Sequence, residues 1–223
     1  MLWVMSIPLP ERGRLLVAVG MGSNLPPVAA TPFDLEPPAD PRARALEGAL
    51  VLLRRSGHIR RAASPLYETE PEDAAAEQDS YLNACVLLDV PDDLEALLLE
   101  CEAIERQAGR TDKGARSPRP LDLDLLAAWQ ADEAGDLRPL APRESSRLTL
   151  PHPRLAGRAF VLVPLAGVMP DAPLQLAGGA GELTAWQLLR RLARGARGVS
   201  PGPASASFPY RGHGARGDRI EFS

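Results

Sequence analysis

Strand-like and helix-like segments follow one another in a defined order along the first part of this chain. Apolar residues recur with helical spacing from Ala43 to Gly57 and again from Asp92 to Gly109. Four short apolar segments predict strands: Leu15–Val19, His58–Tyr67, Tyr81–Val90 and Leu121–Trp129. The resulting order, β-α-β-β-α-β, is typical of an α+β fold with a ferredoxin-like antiparallel sheet covered by helices.

The length of the chain favours one domain with appendages. Its 223 residues exceed the most common domain size of about 100–150 residues but are too few for two full-sized domains. We expect the domain to span residues 14–194, ending in an amphipathic helix from Glu182 to Arg194, with a proline-rich insertion over residues 26–41. Residues 195–223 are rich in Gly, Pro and Arg and are expected to form a mobile tail.

Composition and charge exclude several classes of protein. Hydrophobic residues make up 45% of the chain and charged residues 24%, which argues against a disordered or fibrous protein. The formal charge of -4 provides no overall basic field for nucleic acid, and no run approaches the ~20 apolar residues of a membrane span. Cys85 and Cys101 lie in apolar stretches and are predicted to be buried free thiols. We therefore expect a cytoplasmic protein that binds neither nucleic acid nor membranes.

Two aspartates two residues apart lie in the predicted strand that begins at Leu121. Side chains at this spacing share one face of a strand, so Asp122 and Asp124 present adjacent carboxylates that repel each other unless a cation lies near. Oxygen ligands of this kind suit Mg²⁺, which usually completes its shell with water and substrate phosphates. Taken alone, the pair is equally compatible with two solvated acids on an edge strand.

A basic loop precedes these aspartates and favours the metal interpretation. It carries four cations: Arg110, Lys113, Arg116 and Arg119. Arginine binds phosphate oxygens bidentately, and arginine together with Mg²⁺ neutralises the charge of a phosphoryl group in transfer. The Gly-rich sequence of a Walker loop is absent from the chain, so a nucleotide site here would be of another kind.

Other candidate site residues lie at predicted strand ends and in a proline-flanked turn. Thr69 and Asn83 can bind the edge of a heterocycle through hydrogen bonds, but they can equally satisfy the loop backbone. His152 stands between Pro151 and Pro153, where a structural turn residue is more common than a catalytic one. From the residues alone, it stays open whether Thr69 and Asn83 bind a ligand and whether His152 is a functional residue.

Several short sequences together resemble one known family, the 6-hydroxymethyl-7,8-dihydropterin pyrophosphokinases of folate biosynthesis. The resemblance covers about residues 14–194 and is carried most specifically by Pro118-Arg119 with Asp122-x-Asp124, and by Pro151-His152-Pro153 with Arg158-x-Phe160. Four further matches are Gly22-Ser23-Asn24-Leu25, Tyr67-Glu68-Thr69, Tyr81-Leu82-Asn83-Ala84 and Ile104-Glu105 to Gly109-Arg110.

The resemblance implies a ferredoxin-like fold and an enzyme that transfers pyrophosphate from ATP to the dihydropterin, releasing AMP. It implies two Mg²⁺ ions on Asp122 and Asp124, and phosphate-binding roles for Arg110 and Arg119. Further nucleotide-binding positions are Glu105, Arg116, Arg147, Thr149, His152 and Arg158. The implied pterin pocket consists of Thr69, Tyr81, Asn83 and Phe160. The expected partners are ATP and the pterin, and the expected state is a monomer.

The chain departs from the family pattern just before Pro118. Members usually carry an aromatic residue and Gly there, whereas this chain has Arg116 and Ser117. We hypothesise that the Arg116 guanidinium stacks over the pterin in place of the ring. The departures motivate one alternative, a degenerate member that binds nucleotide or pterin without turnover. A second alternative is an RNA-binding module, suggested by the ferredoxin-like sheet and the arginines of the tail.

Overall fold

Long antiparallel strands form the centre of the described part of the chain, and the four α-helices described there cover them. The computed structural model describes residues 7–28, 40–71, 78–111, 117–176, 181–192 and 199–201. Its first half contains β1 (Arg14–Ser23), α1 (Pro41–Arg55), β2 (Ile59–Ala63), β3 (Tyr67–Thr69), β4 (Tyr81–Pro91) and α2 (Leu94–Gln107). Its second half contains β5 (Asp122–Ala131), β6 (Leu137–Pro139), β7 (Arg143–Glu144), β8 (Thr149–Leu150), α3 (Ala159–Val168), β9 (Pro173–Gln175), β10 (Glu182–Thr184), α4 (Ala185–Leu192) and β11 (Val199–Pro201).

The main sheet has β1 at its centre. Its order is β11-β3-β4-β1-β5-β6, with β2 also pairing with β4, and its strand pairs are antiparallel. The β1–β4 register runs without interruption from Arg14 opposite Pro91 to Ser23 opposite Leu82. The β1–β5 register shifts once, between Ala18 and Val19. This arrangement confirms the predicted α+β class with an antiparallel sheet covered by helices.

Each face of the sheet packs against two helices. Alternate residues of β1, such as Val17 and Val19, lie in one apolar core with α1 and α2. The residues between them, Leu16 and Ala18, lie in a second core with α3 and α4. Because side chains alternate along a strand, one central strand contributes to both cores, and its residues Leu15 to Val19 are buried.

Two of the predicted elements differ from the structure in their bounds. The strand predicted over His58–Tyr67 is divided into β2 and β3, because Ser64 turns to bond Cys85 and Pro65 has no backbone N–H to donate. The helix predicted from Glu182 begins only at Ala185, because Glu182–Thr184 pairs with β9. Residues 193 and 194 of that prediction lie outside the described part of the chain.

Part of the predicted tail belongs to the sheet. Val199–Pro201 pairs with Tyr67–Thr69 of β3, while the other residues of 195–223 lie outside the described ranges, as does most of the insertion over 26–41. Cys85 and Cys101 are buried free thiols, as predicted. Within the described residues, no helix is long and apolar enough to cross a membrane.

Candidate active site

The predicted pterin residue Asn83 and the predicted metal ligand Asp122 lie on opposite sides of one glycine. Gly22 of β1 pairs with Asn83 of β4 on one side and with Asp122 of β5 on the other. In the next row of the same face, Gly20 pairs with Asp124. The sheet register therefore places both carboxylates and the Asn83 amide at one end of the face that packs against α3.

Two arginines hold the carboxylate of Asp122. Arg110 donates from Nη1 to Asp122 Oδ1 at 2.5 Å, and Arg119 donates from Nη1 to Asp122 Oδ2 at 3.0 Å. The side chains of Arg110 and Arg119 are only 10% and 16% exposed, so these contacts are shielded from solvent. Each carboxylate oxygen of Asp122 thus faces a guanidinium group. Guanidinium groups that bind a carboxylate in this way can also bind phosphate oxygens.

Glu105 supports this cluster from the other face of the sheet. It lies on α2, is 4% exposed, and accepts hydrogen bonds from Arg110 Nη1 at 2.6 Å and from the backbone N–H of Leu123 at 2.8 Å. Burial raises the pKa of Glu105 to about 7, although the Leu123 bond and Arg110 act in the opposite direction. In this structure, Glu105 fixes Arg110 and the start of β5 rather than facing the carboxylate pair directly.

Asp124 has a raised pKa. Burial and the neighbouring charge of Asp122 raise its pKa to about 6, while Arg154, Arg110 and Arg158 act in the opposite direction. A carboxylate in this position is stabilised by any added cation, because the cation offsets both the lost hydration and the repulsion from Asp122. The pair therefore has the electrostatic character of a metal site.

The donor set fits Mg²⁺ that is shared with a substrate. Within the described residues, no group of three or more His, Cys, Asp and Glu side chains is arranged to hold a metal ion. Mg²⁺ commonly binds one or two carboxylates and takes its other ligands from water and phosphates. Asp122 and Asp124 supply that number of carboxylates, so the residues present fit a metal that enters with a nucleotide.

The loop before β5 is tied to the end of β1 by Asn24, a residue to which the sequence interpretation gave no role. Asn24 is 3% exposed, its Oδ1 accepts the backbone N–H of Arg119 at 2.7 Å, and its own N–H donates to the Arg119 carbonyl at 3.1 Å. This reciprocal pair fixes the backbone from which the Arg119 side chain extends. An Asn directly after a buried strand was the available sequence signal.

The turn that follows β8 places a histidine and basic side chains beside the carboxylates. The N–H of His152 donates to the Leu126 carbonyl of β5 at 2.8 Å, and His152 Nδ1 accepts the N–H of Arg154 at 3.2 Å. Burial, followed by the charges of Arg154 and Arg158, lowers the pKa of His152 to about 4. Arg154 is exposed and was not selected from the sequence, although its place next to the His152 turn was a signal.

Two of the predicted pterin residues, Thr69 and Asn83, bond to each other. Asn83 Nδ2 donates to Thr69 Oγ1 at 2.8 Å, and both residues are buried. The Tyr81 hydroxyl donates to the Ser117 carbonyl at 3.3 Å, which links β4 to the loop before β5. At the start of α3, the Arg158 guanidinium carbon lies 5.2 Å from the Phe160 ring centroid. Asn83 keeps its amide oxygen, which faces Gly22, as an acceptor on this face.

Two predicted nucleotide positions, Arg147 and Thr149, are not brought into this cluster. Arg147 donates to Glu102 on α2 at 2.9 Å, with its side chain 49% exposed, and Thr149 pairs with Glu144 in the β7–β8 ladder. Neither forms a hydrogen bond or ion pair with Asp122 or Asp124 in the part of the chain that the structure describes. Arg116 lies outside the described residues, so its predicted stacking stays a prediction.

A cleft opens beside Arg110. It has a volume of about 330 Å³ and lies between the loop after β1 and the loop after α2, with Leu25, Val28 and Pro118 among its lining residues. A second cavity, of about 360 Å³, is lined by Asp92, Asp93 and Arg143. That cavity lies at the opposite end of β4 from Asn83, so the smaller cleft is the one associated with the site.

Comparisons with known proteins bear on the same segments. A family model described as 7,8-dihydro-6-hydroxymethylpterin-pyrophosphokinase (HPPK) matches residues 18–170. The chain is 42% identical over 118 residues to the 2-amino-4-hydroxy-6-hydroxymethyldihydropteridine pyrophosphokinase of Mycobacterium tuberculosis (strain ATCC 25618 / H37Rv). The aligned region covers 52% of this chain and 62% of that protein. The chain thus aligns with less than two thirds of the length of this relative.

Two further relatives extend the comparison. A protein of the same name from Methylorubrum extorquens is 33% identical over 153 residues, covering 69% of this chain and 82% of the relative. A Pisum sativum protein named "Folate synthesis bifunctional protein, mitochondrial" is 38% identical over 125 residues, covering 56% of this chain and 22% of that protein. The family model spans both strand aspartates, the basic loop and the His152 turn, and the chain belongs to the 7,8-dihydro-6-hydroxymethylpterin-pyrophosphokinase family.

Proposed function

We propose that this protein transfers pyrophosphate from ATP to 6-hydroxymethyl-7,8-dihydropterin, giving AMP and the dihydropterin diphosphate, a step of folate biosynthesis. The observation that carries the proposal is the position of Asp122. Its carboxylate is held by Arg110 and Arg119 and faces the buried Asn83–Thr69 pair across Gly22. Charge for a polyphosphate and hydrogen-bonding groups for a heterocycle therefore lie on one sheet face. Membership of the family supports the same reaction.

In the transfer, the pterin hydroxyl oxygen bonds to the β-phosphorus of ATP and releases its proton to solvent, the bond from that phosphorus to the oxygen bridging to the α-phosphate breaks, and AMP leaves with that oxygen. Arg110 and Arg119 bind phosphate oxygens and offset their charge. Asn83 and Thr69 orient the pterin ring, and Phe160 supplies an aromatic surface for it. When bound to Asp122 and Asp124, two Mg²⁺ ions would add charge neutralisation and hold the phosphates in line.

His152 and Arg158 complete the proposed nucleotide side. Because its pKa is lowered to about 4, His152 is neutral near pH 7 and offers a hydrogen-bonding nitrogen rather than a charge. Arg154, which is exposed beside it, supplies a further cation for the outer phosphates. We also propose that three further residues contact the nucleotide, but only when ATP is bound: Arg147, Thr149 and Arg116.

The proposal is tested by identifying the nucleotide product. The purified chain is incubated with ATP, Mg²⁺ and 6-hydroxymethyl-7,8-dihydropterin beside the variant Asp124→Asn, with Glu133→Gln as an exposed acidic control. We expect AMP that depends on pterin, a loss of at least about 100-fold in Asp124→Asn, and no change in the control. ADP would indicate a different kinase reaction, and ATP binding without turnover would indicate a binding protein; either result contradicts the proposal.

We further propose that the enzyme acts as a monomer in the cytoplasm and does not bind nucleic acid. The formal charge of -4 offers no overall basic surface for nucleic acid. Light scattering after size-exclusion chromatography would test whether the protein is a monomer. Salt-sensitive retention of RNA would contradict the proposal that it does not bind nucleic acid.

A further inference from the structure

A single arginine in the first turn of α1 joins the two strand ends that carry predicted pterin residues. Arg42 Nη1 lies 3.0 Å from Glu68 Oε1, 2.8 Å from the Ser80 carbonyl oxygen and 3.0 Å from Ser80 Oγ. Glu68 is the residue before Thr69 on β3, and Ser80 is the residue before Tyr81 on β4. Thr69 and Tyr81 are themselves directly paired. The guanidinium therefore spans the place where both strands leave the sheet.

Asp40 orients the Arg42 guanidinium. Its Oδ1 accepts the backbone N–H of Arg42 at 2.9 Å, which caps α1, and its Oδ2 accepts Arg42 Nη2 at 2.8 Å. Arg42 Nε also lies 3.2 Å from Asp40 Oδ1. With Nε and Nη2 committed to Asp40, Nη1 is directed at Glu68 and Ser80. The planar guanidinium can donate to Asp40 and to the Glu68–Ser80 pair at the same time, which the single nitrogen of lysine cannot do in the same geometry.

Charge and burial make this junction firm. The Ser80 hydroxyl donates to Glu68 Oε1 at 2.6 Å, so Arg42, Glu68 and Ser80 contact one another in a closed set. The side chain of Arg42 is 17% exposed and that of Asp40 is 18% exposed. The hydrogen bond from Ser80 and the charge of Arg42 lower the pKa of Glu68, so the ion pair persists near pH 7. Hydrogen bonds to charged groups of this kind are stronger than neutral ones.

We infer that Arg42 is a positioning residue for the pterin: by holding the ends of β3 and β4 together, it sets Thr69 and Tyr81 at the spacing that the pocket needs. The inference rests on the proposed function. Thr69 passes the constraint to Asn83 through their 2.8 Å hydrogen bond, and Tyr81 passes it to Ser117 in the basic loop. Arg42 acts through these residues, because its own contacts are with Asp40, Glu68 and Ser80.

The test compares Arg42→Ala and Arg42→Lys with Arg55→Ala, an exposed arginine at the other end of the same helix. We expect Arg42→Ala to raise the KM for the pterin about tenfold, as the loss of one charged hydrogen bond would. The KM for ATP should change less than about twofold by the same reasoning, since the phosphate-binding arginines are untouched. Arg42→Lys should recover only part of the pterin KM, and Arg55→Ala should match the wild type.

Amide hydrogen exchange gives a second measurement that needs no turnover. Arg42→Ala should accelerate exchange in Tyr67–Thr69 and Tyr81–Asn83 while exchange in β5 is unchanged. An unchanged pterin KM in Arg42→Ala would overturn the inference, as would equal changes in both KM values or full rescue by Lys. If the wild type forms no AMP, the proposed function fails. The exchange measurement then shows separately whether Arg42 holds the strand ends, and unchanged exchange overturns that part.

Discussion

Asn83 Oδ1 lies close to the position where a side chain on Gly22 would begin. A Cβ atom built on Gly22 would lie 3.1 Å from that oxygen and 3.8 Å from Asp122 Cβ. The first distance is shorter than ordinary van der Waals contact, so only glycine lets the Asn83 amide lie over β1 without displacement. The absence of a side chain at Gly22 thus leaves room for the Asn83 amide beside β1.

Replacement of Gly22 by Ala is expected to weaken pterin binding more than stability. The new methyl group pushes the Asn83 amide away and lengthens its bond to Thr69, which is 2.8 Å in the native protein. We expect the KM for the pterin to rise by roughly tenfold, equivalent to the loss of one hydrogen bond of about 1 kcal/mol or slightly more. Steady-state kinetics with the pterin varied at saturating ATP would measure it.

The matched control is Gly157→Ala, because a Cβ at Gly157 meets no atom within 4 Å. Its kinetics should resemble those of the wild type. Equal effects of the two substitutions, or an unchanged pterin KM in Gly22→Ala, would show that the crowding at Asn83 is irrelevant to binding.

Removal of Arg110 is expected to destabilise the protein through Glu105. Arg110→Ala leaves the 4% exposed Glu105 carboxylate without its cation, and breaking such a buried pair typically lowers the free energy of unfolding by about 3–5 kcal/mol. Adding Glu105→Gln should restore part of this loss, since an amide oxygen can still accept the Leu123 N–H without carrying a charge. Urea unfolding at pH 8 without Mg²⁺ or nucleotide would provide the measurement.

An exposed arginine on α2, the helix that carries Glu105, serves as the reference for Arg110. The Arg106 side chain is 61% exposed and lies 3.9 Å from Glu102, so Arg106→Ala should change the free energy of unfolding by less than about 0.5 kcal/mol. A double variant as unstable as Arg110→Ala alone would refute the role assigned to the Glu105 charge.

Protonation of His152 is expected to lower the stability of the folded protein as the pH falls, whereas the raised pKa values of Glu105 and Asp124 act in the opposite direction. The folded-state pKa of His152, about 4, lies below its ordinary value of 6.5, chiefly because of burial and then because of Arg154 and Arg158. Between these two values the unfolded chain binds the proton at this histidine more readily, so the His152 contribution lowers stability as the pH falls from about 6.5 to 4. The variant His152→Gln should lack this contribution, so its free energy of unfolding relative to that of the wild type should rise as the pH falls over this range.

NMR can observe this titration directly. Of the three histidines, the signal missing in His152→Gln identifies His152, and its midpoint should lie near pH 4. Arg154→Ala should move that midpoint upward, because a neighbouring positive charge is removed. A midpoint at the ordinary value of 6.5 in the wild type would contradict the burial and charge argument.

The secondary structure followed from local patterns wherever one physical signal dominated. The helix predicted from Asp92 to Gly109 appears as α2, capped by Asp93, whose side chain accepts the N–H of Ala96. The strand predicted over Tyr81–Val90 appears as β4. The prediction was wrong at Glu182–Thr184, because these residues pair with β9 across a short connection, and this pairing outweighs the helical periodicity.

The candidate site shows a similar division. The D-x-D spacing sufficed to predict that Asp122 and Asp124 share a face, and the basic loop indicated a cation cluster nearby. The pattern contained no sign that Glu105 reaches β5 from behind the sheet, that Asn24 holds the Arg119 backbone, or that Arg42 joins Glu68 to Ser80. Each of these contacts links residues far apart in the chain.

The sequence by itself determined the elements and the chemistry: an alternating order of strands and helices, two carboxylates on one strand face, arginines beside them and polar residues at neighbouring strand ends. These follow from periodicity and residue type, which act over a few neighbouring residues. Only the tertiary structure decided that Asn83, Gly22 and Asp122 lie in one row, because register and helix packing depend on the whole folded core. Burial in the folded structure then shifts the pKa values of two site residues: it raises that of Asp124 and lowers that of His152.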